Sequence, residues 1–586
     1  MRWGVQKEAK AQQIKGLTPP PPDSQTTSPQ TARFSFKKHK LKQLKPKHLI
    51  PTPYLFIPIF LASPYDFAFA QISSGCSPGS TRFICRVDTT PSTTFNNTNG
   101  QYTTFLTINA GVRASSSTGN YIANSDTQSP FRIIVQPGAI VKNNGSGSSV
   151  TINSLQGTNL TIDNNGIIGA TVKPADNRYN PANQSSSNIH GANSNIHNTS
   201  AGYISRVGLS YGQFEVNNSG VFGEINVSSG GNGIINNNGS GIITMLENLE
   251  TITRLSNAGT ITTLTNQTWS STSRKAQLQN LINSGTITTL NNSGDGRLTT
   301  FTNERGGSVT TLNNAGGKIT NLTNDGTITT LQNTTGGYKQ QGGAQVNGQI
   351  LTLNNNRTIT TFTNQANATI TRLNNNTNAQ IQTLTNQGQI QDLDNQGTLT
   401  TLSNSGTITT LNNQNTGNIN QITNTSTITN LTNSGTLTTL TNNANGSIAT
   451  LNNDAGTITT LNNNANATIT TLTNNANSTI TTLSNSGTIT TLNNENGATI
   501  AALTNNAQGQ ITTLNNQTNA TITTLTNQGQ IQDLNNSGTI TNGITNQANA
   551  TITNLNNRAN LSSITNSGTI TTLNNDNNAT ITTLTN

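Results

Sequence analysis

The chain has few of the residues from which catalytic and metal sites are assembled. Its 586 residues include two cysteines, four histidines and 20 acidic side chains. His190 and His197 recur in Asn-Ile-His phrases inside an Asn/Ser-rich loop. No cysteine or acidic cluster accompanies them, so no metal-ligand set is legible and they read as solvated loop residues. The acids stand singly, as at Asp325, Asp454, Glu495 and Asp576. Clustered carboxylates of the kind that cleave polysaccharides on other β-helices are therefore not legible. Asp392 and Asp394 are close together but read as surface variants of a repeat. The run Gly145-Ser-Gly-Ser-Ser lacks the setting of a nucleophile elbow. No Gly-rich phosphate loop is present. The expectation is a non-enzymatic protein with no catalytic residue, cofactor or metal.

Positive charge is also scarcer than it looks. The formal net charge is +9 and the pI about 9.6. Residues 1–70 hold 11 Lys/Arg against three acids, which leaves 18 basic and 17 acidic residues in the rest of the chain. That remainder offers no basic face to nucleic acid.

What the chain does have is a phrase. From Ile350 to the last residue, I-x-x-L-x-N recurs 24 times at intervals of 9 to 12 residues. Ile489, Leu492 and Asn494 make one copy; Ile500, Leu503 and Asn505 make the next. Leu399, Phe362 and Ile422 replace the usual aliphatic in single copies, and the copy at Ile540 is stretched by one residue. The Asn never changes. A short fixed period marks stacked identical units. Length variation enters only between the Asn and the next Thr-Ile. Short copies close with Ser405-Gly406, Ser486-Gly487 or Ser537-Gly538, and long ones with Asn464 to Thr468. Gly and Asn accept positive φ cheaply, so these segments read as turns.

Thr, Asn, Ser and Gly are poor helix formers, whereas Thr and Ile favour extended backbone because branching at Cβ stiffens χ1. In a straight strand, residues three apart point to opposite faces. For Ile and Leu both to reach a core, the chain must bend between them. Leu and the Asn two residues later then share a face, which places the Asn inward near a corner, able to stack with its equivalents. Two copies make a coil of about 20 residues. At a strand spacing of roughly 4.8 Å the 24 copies form about 12 coils and a rod of roughly 58 Å. The expectation is an all-β parallel β-helix, regular over residues 251–586 and irregular over 71–250. A leucine-rich repeat would need a longer unit and a second, non-strand element, and neither is present. One coil cannot stand alone, so neighbours must support each other.

Breaks in the repeat at Trp269 to Gln279 and Thr334 to Asn347 read as two loops leaving the rod. The residues flanking Ile, as in Thr407-Ile408-Thr409, form outward T-x-T pairs of the sort found on ice-binding solenoids. Gln530-Ile531-Gln532 and Thr499-Ile500-Ala501 interrupt them, which favours thriftier reasons for threonine, its solubility and strand propensity.

The front of the chain is different. Lys37, Lys38, Lys40, Lys42, Lys45 and Lys47 precede an apolar stretch from Leu49 to Ala62, followed by Ala68-Phe69-Ala70. Charged region, apolar region and A-x-A site describe a secretory signal, with cleavage expected between Ala70 and Gln71. Pro51, Pro53 and Pro58 interrupt the stretch, and it falls short of the ~20 residues of a membrane-spanning helix. Residues 1–70 are therefore read as an extended leader and signal. Cys76 and Cys85 follow at once, and export makes a small disulfide loop their natural use.

The leader, the β-rich region after it and units such as Asn404-Ser-Gly-Thr-Ile-Thr-Thr-Leu-Asn-Asn413 together resemble the passenger of Gram-negative autotransporters (type V secretion). The repeat is most similar to those of vacuolating-cytotoxin-like surface autotransporters, over roughly residues 251–586. The resemblance implies a secreted or surface-bound, outer-membrane-associated β-helix used for adhesion or contact with host or neighbouring cells. Two features depart from it. No alternating barrel strands and no terminal aromatic are present, so the outer-membrane translocator is missing from this chain. No pore-forming apolar segment follows Ala70, so toxin activity does not carry over. The chain stops at Thr585-Asn586 in repeat register without a cap, and truncation is the expectation.

Overall fold

A computed structural model describes residues 193–268, 276–336, 345–576 and 578–586 as unbroken stretches, and separate short segments between 76 and 191. The signal cleavage site at Ala70 and Gln71 lies outside the described residues. Among the described residues there is no helix, and so none long and apolar enough to cross a membrane. Two sheets of 24 and 27 strands run side by side. The protein is a parallel β-solenoid.

One coil shows how the sequence makes it. Thr407–Asn413 lies in the first sheet, and Asn418–Asn424 crosses to the second. The chain then returns as Thr427–Asn433, which pairs parallel to Thr407–Asn413 with Ile408 opposite Ile428, Leu411 opposite Leu431 and Asn413 opposite Asn433. The rise is therefore 20 residues per coil at this point. Thr409 and Thr429 have no partner in that register. The same skip recurs in strand after strand, always between Ile and Leu, and it is the bend that the three-residue spacing demands. Across it Ile408, Leu411 and Asn413 are all buried while the residues between them are not. At Ile540 the extra residue is absorbed at this same bend, between Thr539–Ile540 and Ile544–Asn546.

Both sheets pass residue 250 without interruption. The two breaks in the repeat leave the stacking intact: Thr251–Asn257 pairs with Gln277–Asn283, and Lys318–Asn324 with Gln349–Asn355.

The inward asparagines form two ladders. In the first, twenty residues from Asn164 to Asn575 are joined by nineteen side-chain hydrogen bonds of 2.7–3.0 Å. In the second, seventeen residues from Asn248 to Asn586 are joined by sixteen side-chain hydrogen bonds of 2.5–2.9 Å. Each Nδ2 donates to the Oδ1 of the next coil towards the C-terminus. The direction is forced locally. The Nδ2 of Asn433 reaches the Oδ1 of Asn453 at 2.8 Å and also the carbonyls of Gly435 and Thr457, both at 3.2 Å. Turning the amide over would set an oxygen against two carbonyl oxygens. The dipoles therefore run head to tail and polarise one another. The ladders begin where an apolar residue occupies the equivalent place one coil earlier, Val135 before Asn164 and Val227 before Asn248.

The turns correct one expectation. Positive φ belongs to the long turns, where Asn466 has φ 62° and Asn477 φ 63°. The short-turn glycines Gly406, Gly487 and Gly538 do not have it. What they need is space. A Cβ on Gly406 would lie 2.1 Å from the carbonyl oxygen of Gly388 one coil below, and on Gly487 2.3 Å from that of Ala467. Where Arg357 or Ser426 takes the glycine's place, the next amide stretches to 3.3 Å from its acceptor, against 2.9 Å after Gly406.

Two predictions follow from the interior. Leu492→Asp buries an unpaired charge at a fully enclosed site and should cost several kcal/mol, on the order of 3–5. Thr490→Lys, on the exposed side of the same strand, should change stability by less than about 0.5 kcal/mol. Thermal melts compare them, and equal tolerance of both would contradict the inward assignment. Asn453→Asp removes the donor that meets Asn474, Gly456 and Thr479. The enclosed carboxylate resists ionisation, so its folded pKa lies above its unfolded value. Its contribution is then most favourable at low pH and is lost as pH rises through the folded pKa. The melting deficit relative to wild type should be larger at pH 7 than at pH 4. Equal deficits would show that the ladder amide is not needed as a donor.

Candidate functional site

In the repeats the constant Ile, Leu and Asn face inward, so among the described residues it is the outer rows and turns that meet solvent. Cys76 and Cys85 stand opposite each other in the antiparallel pair Cys76–Pro78 and Arg82–Cys85. Their side chains lie outside the described residues, and this backbone register is what the structure contributes to the proposed bridge. His190 stands in the strand Ile189–Gly191 and His197 in Ser194–Asn198. The two histidines therefore sit on strands, not in a free loop. They enter different sheets. His197 is half-buried and in register with Asp163 and Asn217 on the neighbouring coils. Among the described residues no three His, Cys, Asp or Glu side chains gather in one place.

The acids are taken up one by one. Asp392 lies opposite Arg372 on the preceding coil, 3.9 Å away, and both are solvent-accessible. Asp394 accepts from the Nδ2 of Asn412 at 2.8 Å, and Asp533 from that of Asn554 at 2.7 Å. Sharing a strand therefore does not make Asp392 and Asp394 a reacting pair: each is engaged along its own row. A shallow cleft of about 870 Å³ lies over the turns after the first sheet, lined in part by Glu304, Arg305, Asp325 and Arg357. Within it the Nδ2 of Asn356 donates to Asp325 at 2.6 Å.

The two sheets differ in where they carry charge. After Gln349 there are nine charged residues. Arg372, Asp392, Asp394 and Asp533 lie on first-sheet strands. Arg357, Asp454, Glu495, Arg558 and Asp576 lie on turns that lead from the first sheet to the second. Second-sheet strands from Thr358 to Thr585, and the turns that follow them, carry no charge among the described residues. Their outward positions are mostly Thr with some Asn, Gln, Ser and Ala. The two T-x-T interruptions also part company, since Gln530-Ile531-Gln532 is on the first sheet and Thr499-Ile500-Ala501 on the second. A sequence signal for this sorting exists, because alternate copies of the phrase enter alternate sheets.

Comparison with known proteins finds no matching family model, no matching curated protein and no matching solved structure.

The Arg372–Asp392 pair is accessible to water on both sides. Exposed pairs contribute about 0–1 kcal/mol, so Asp392→Asn should leave the thermal midpoint nearly unchanged. A loss above about 2 kcal/mol in denaturant unfolding would mean that the acid does more than decorate its row.

Proposed function

We propose that this chain is the exported, surface-exposed passenger of an autotransporter-like system, a non-enzymatic rod that makes contact with host or neighbouring cells. One observation carries the reading. Constancy is strictest in the interior, at Ile, Leu and Asn, while turn length and the placing of charge vary along the solenoid. Such a body extends a large lateral surface over a stiff axis, which suits contact better than chemistry in a closed pocket. The charge run before Leu49 and the A-x-A site ending at Ala70 support export. The opposed register of Cys76 and Cys85 supports an oxidising destination.

The test expresses the chain in a Gram-negative host with a separate barrel translocator and examines the cell-surface product. Mass spectrometry should find Gln71 at the N-terminus and a mass two hydrogens below the dithiol form. The purified product should bind cultured host cells saturably. Retention of residues 1–48 in surface-located protein would refute the export route, and non-saturable association with cells would refute the contact role.

A further inference from the structure

We propose that the outward face of the second sheet, from Thr358 to Thr585, is a self-association surface on which a second copy of this chain docks face to face. This inference does not depend on export.

The face has three properties that point to its own copy. It is built of in-register rows. Thr439, Thr460 and Thr482 repeat at the strand spacing of about 4.8 Å, with Gln421 and Ala502 next to them in the same row. Its strands carry no charge, whereas every charged residue after Gln349 is on the other sheet or on the turns that lead from it into this one. No proline follows Pro181. In-register rows of uncharged β-formers without proline are what two sheets need to interdigitate as a dry zipper. The same packing on the first sheet would bury Arg372 and Asp533 against like residues, at a large desolvation cost. One face is thus free to pair and the other is kept solvated, which ends the association at two copies.

The size is adequate. Twelve second-sheet coils span about 58 Å, and the straight arm around Leu, which carries Thr439 and Thr482, is roughly 12 Å wide. That gives about 700 Å² on each copy and ~1,400 Å² in total, within the ~1,200–2,000 Å² of stable interfaces. A neutral glycan is a poorer occupant, because ligand sites rely on apolar and aromatic lining. The one aromatic on these strands, Phe362, is fully buried.

The experiment compares two triple variants of the full chain. Thr401→Lys, Thr439→Lys and Thr482→Lys charge alternate coils across the middle of the proposed face. Thr410→Lys, Thr450→Lys and Thr491→Lys place the same changes at the same repeat position on the first sheet. Circular dichroism and melting establish that both fold, and the first-sheet triple controls for any general effect of three lysines. In sedimentation equilibrium at micromolar concentration, wild type and the first-sheet triple should be dimers and the second-sheet triple a monomer. A monomeric wild type, or a second-sheet triple that remains dimeric, overturns the proposal. Monomeric wild type that is retained on a neutral polysaccharide matrix, or that shows thermal hysteresis in ice, would reassign the face to those ligands.

Discussion

A buried amide is tolerable only when its oxygen and both its hydrogens find partners, and this requirement organises every coil. Each inward Asn supplies what the Asn below lacks and needs what the Asn above supplies, so identity at that position is imposed by its neighbours. An apolar replacement would leave one coil's donors and another's acceptor unsatisfied, at about 1–3 kcal/mol each. The aliphatic positions are under a looser rule, since volume and apolarity suffice. Phe301, Phe362, Val309 and Leu399 all occupy them while remaining fully buried. That contrast explains why the Asn is constant through all copies after Ile350 while Ile and Leu are not.

The same constraint frees the outside. Whatever the length of a turn, it starts from one constant backbone bond and ends in another. Ser405 after a short turn's Asn donates to the carbonyl of Asn386 at 2.8 Å, and Asn464 in a long turn donates to that of Asn442 at 2.9 Å. The next strand reopens with Thr407 donating to Gly388 or Thr468 to Gly446, each at 2.9 Å. Between these fixed points two to four residues enter without disturbing the stack. Variation in the outer rows is therefore cheap, and charge can be kept to one side of the rod.

Much of this was legible in the sequence. The I-x-x-L-x-N spacing requires a bend between Ile and Leu and an inward Asn, and the skipped Thr409 and the stacked Asn413 realise both. Less legible was the start of the first ladder. Residues 160–237 lack the full phrase, yet a shorter one, apolar-x-Asn, runs through Ile162, Ile196, Val216 and Ile235 to Asn164, Asn198, Asn218 and Asn237. The glycine of the short turn was ambiguous, because positive φ and close approach both select glycine. Only the distance from Gly406 to the carbonyl below decides between them. The uncharged face was hidden by topology. A strand is one copy and a coil is two, so neighbours in sequence belong to opposite sheets.

Continuous amide ladders hold the coils in register. Selective ¹⁵N labelling of asparagine with side-chain hydrogen exchange followed by NMR tests this most directly. Buried ladder amides such as those of Asn413, Asn433 and Asn453 should exchange orders of magnitude more slowly than surface amides such as Asn466, because their hydrogens escape only when coils separate. Side-chain amides that all exchange at the rate of free asparagine, in a protein whose backbone is protected, would mean that the ladders do not hold the coils.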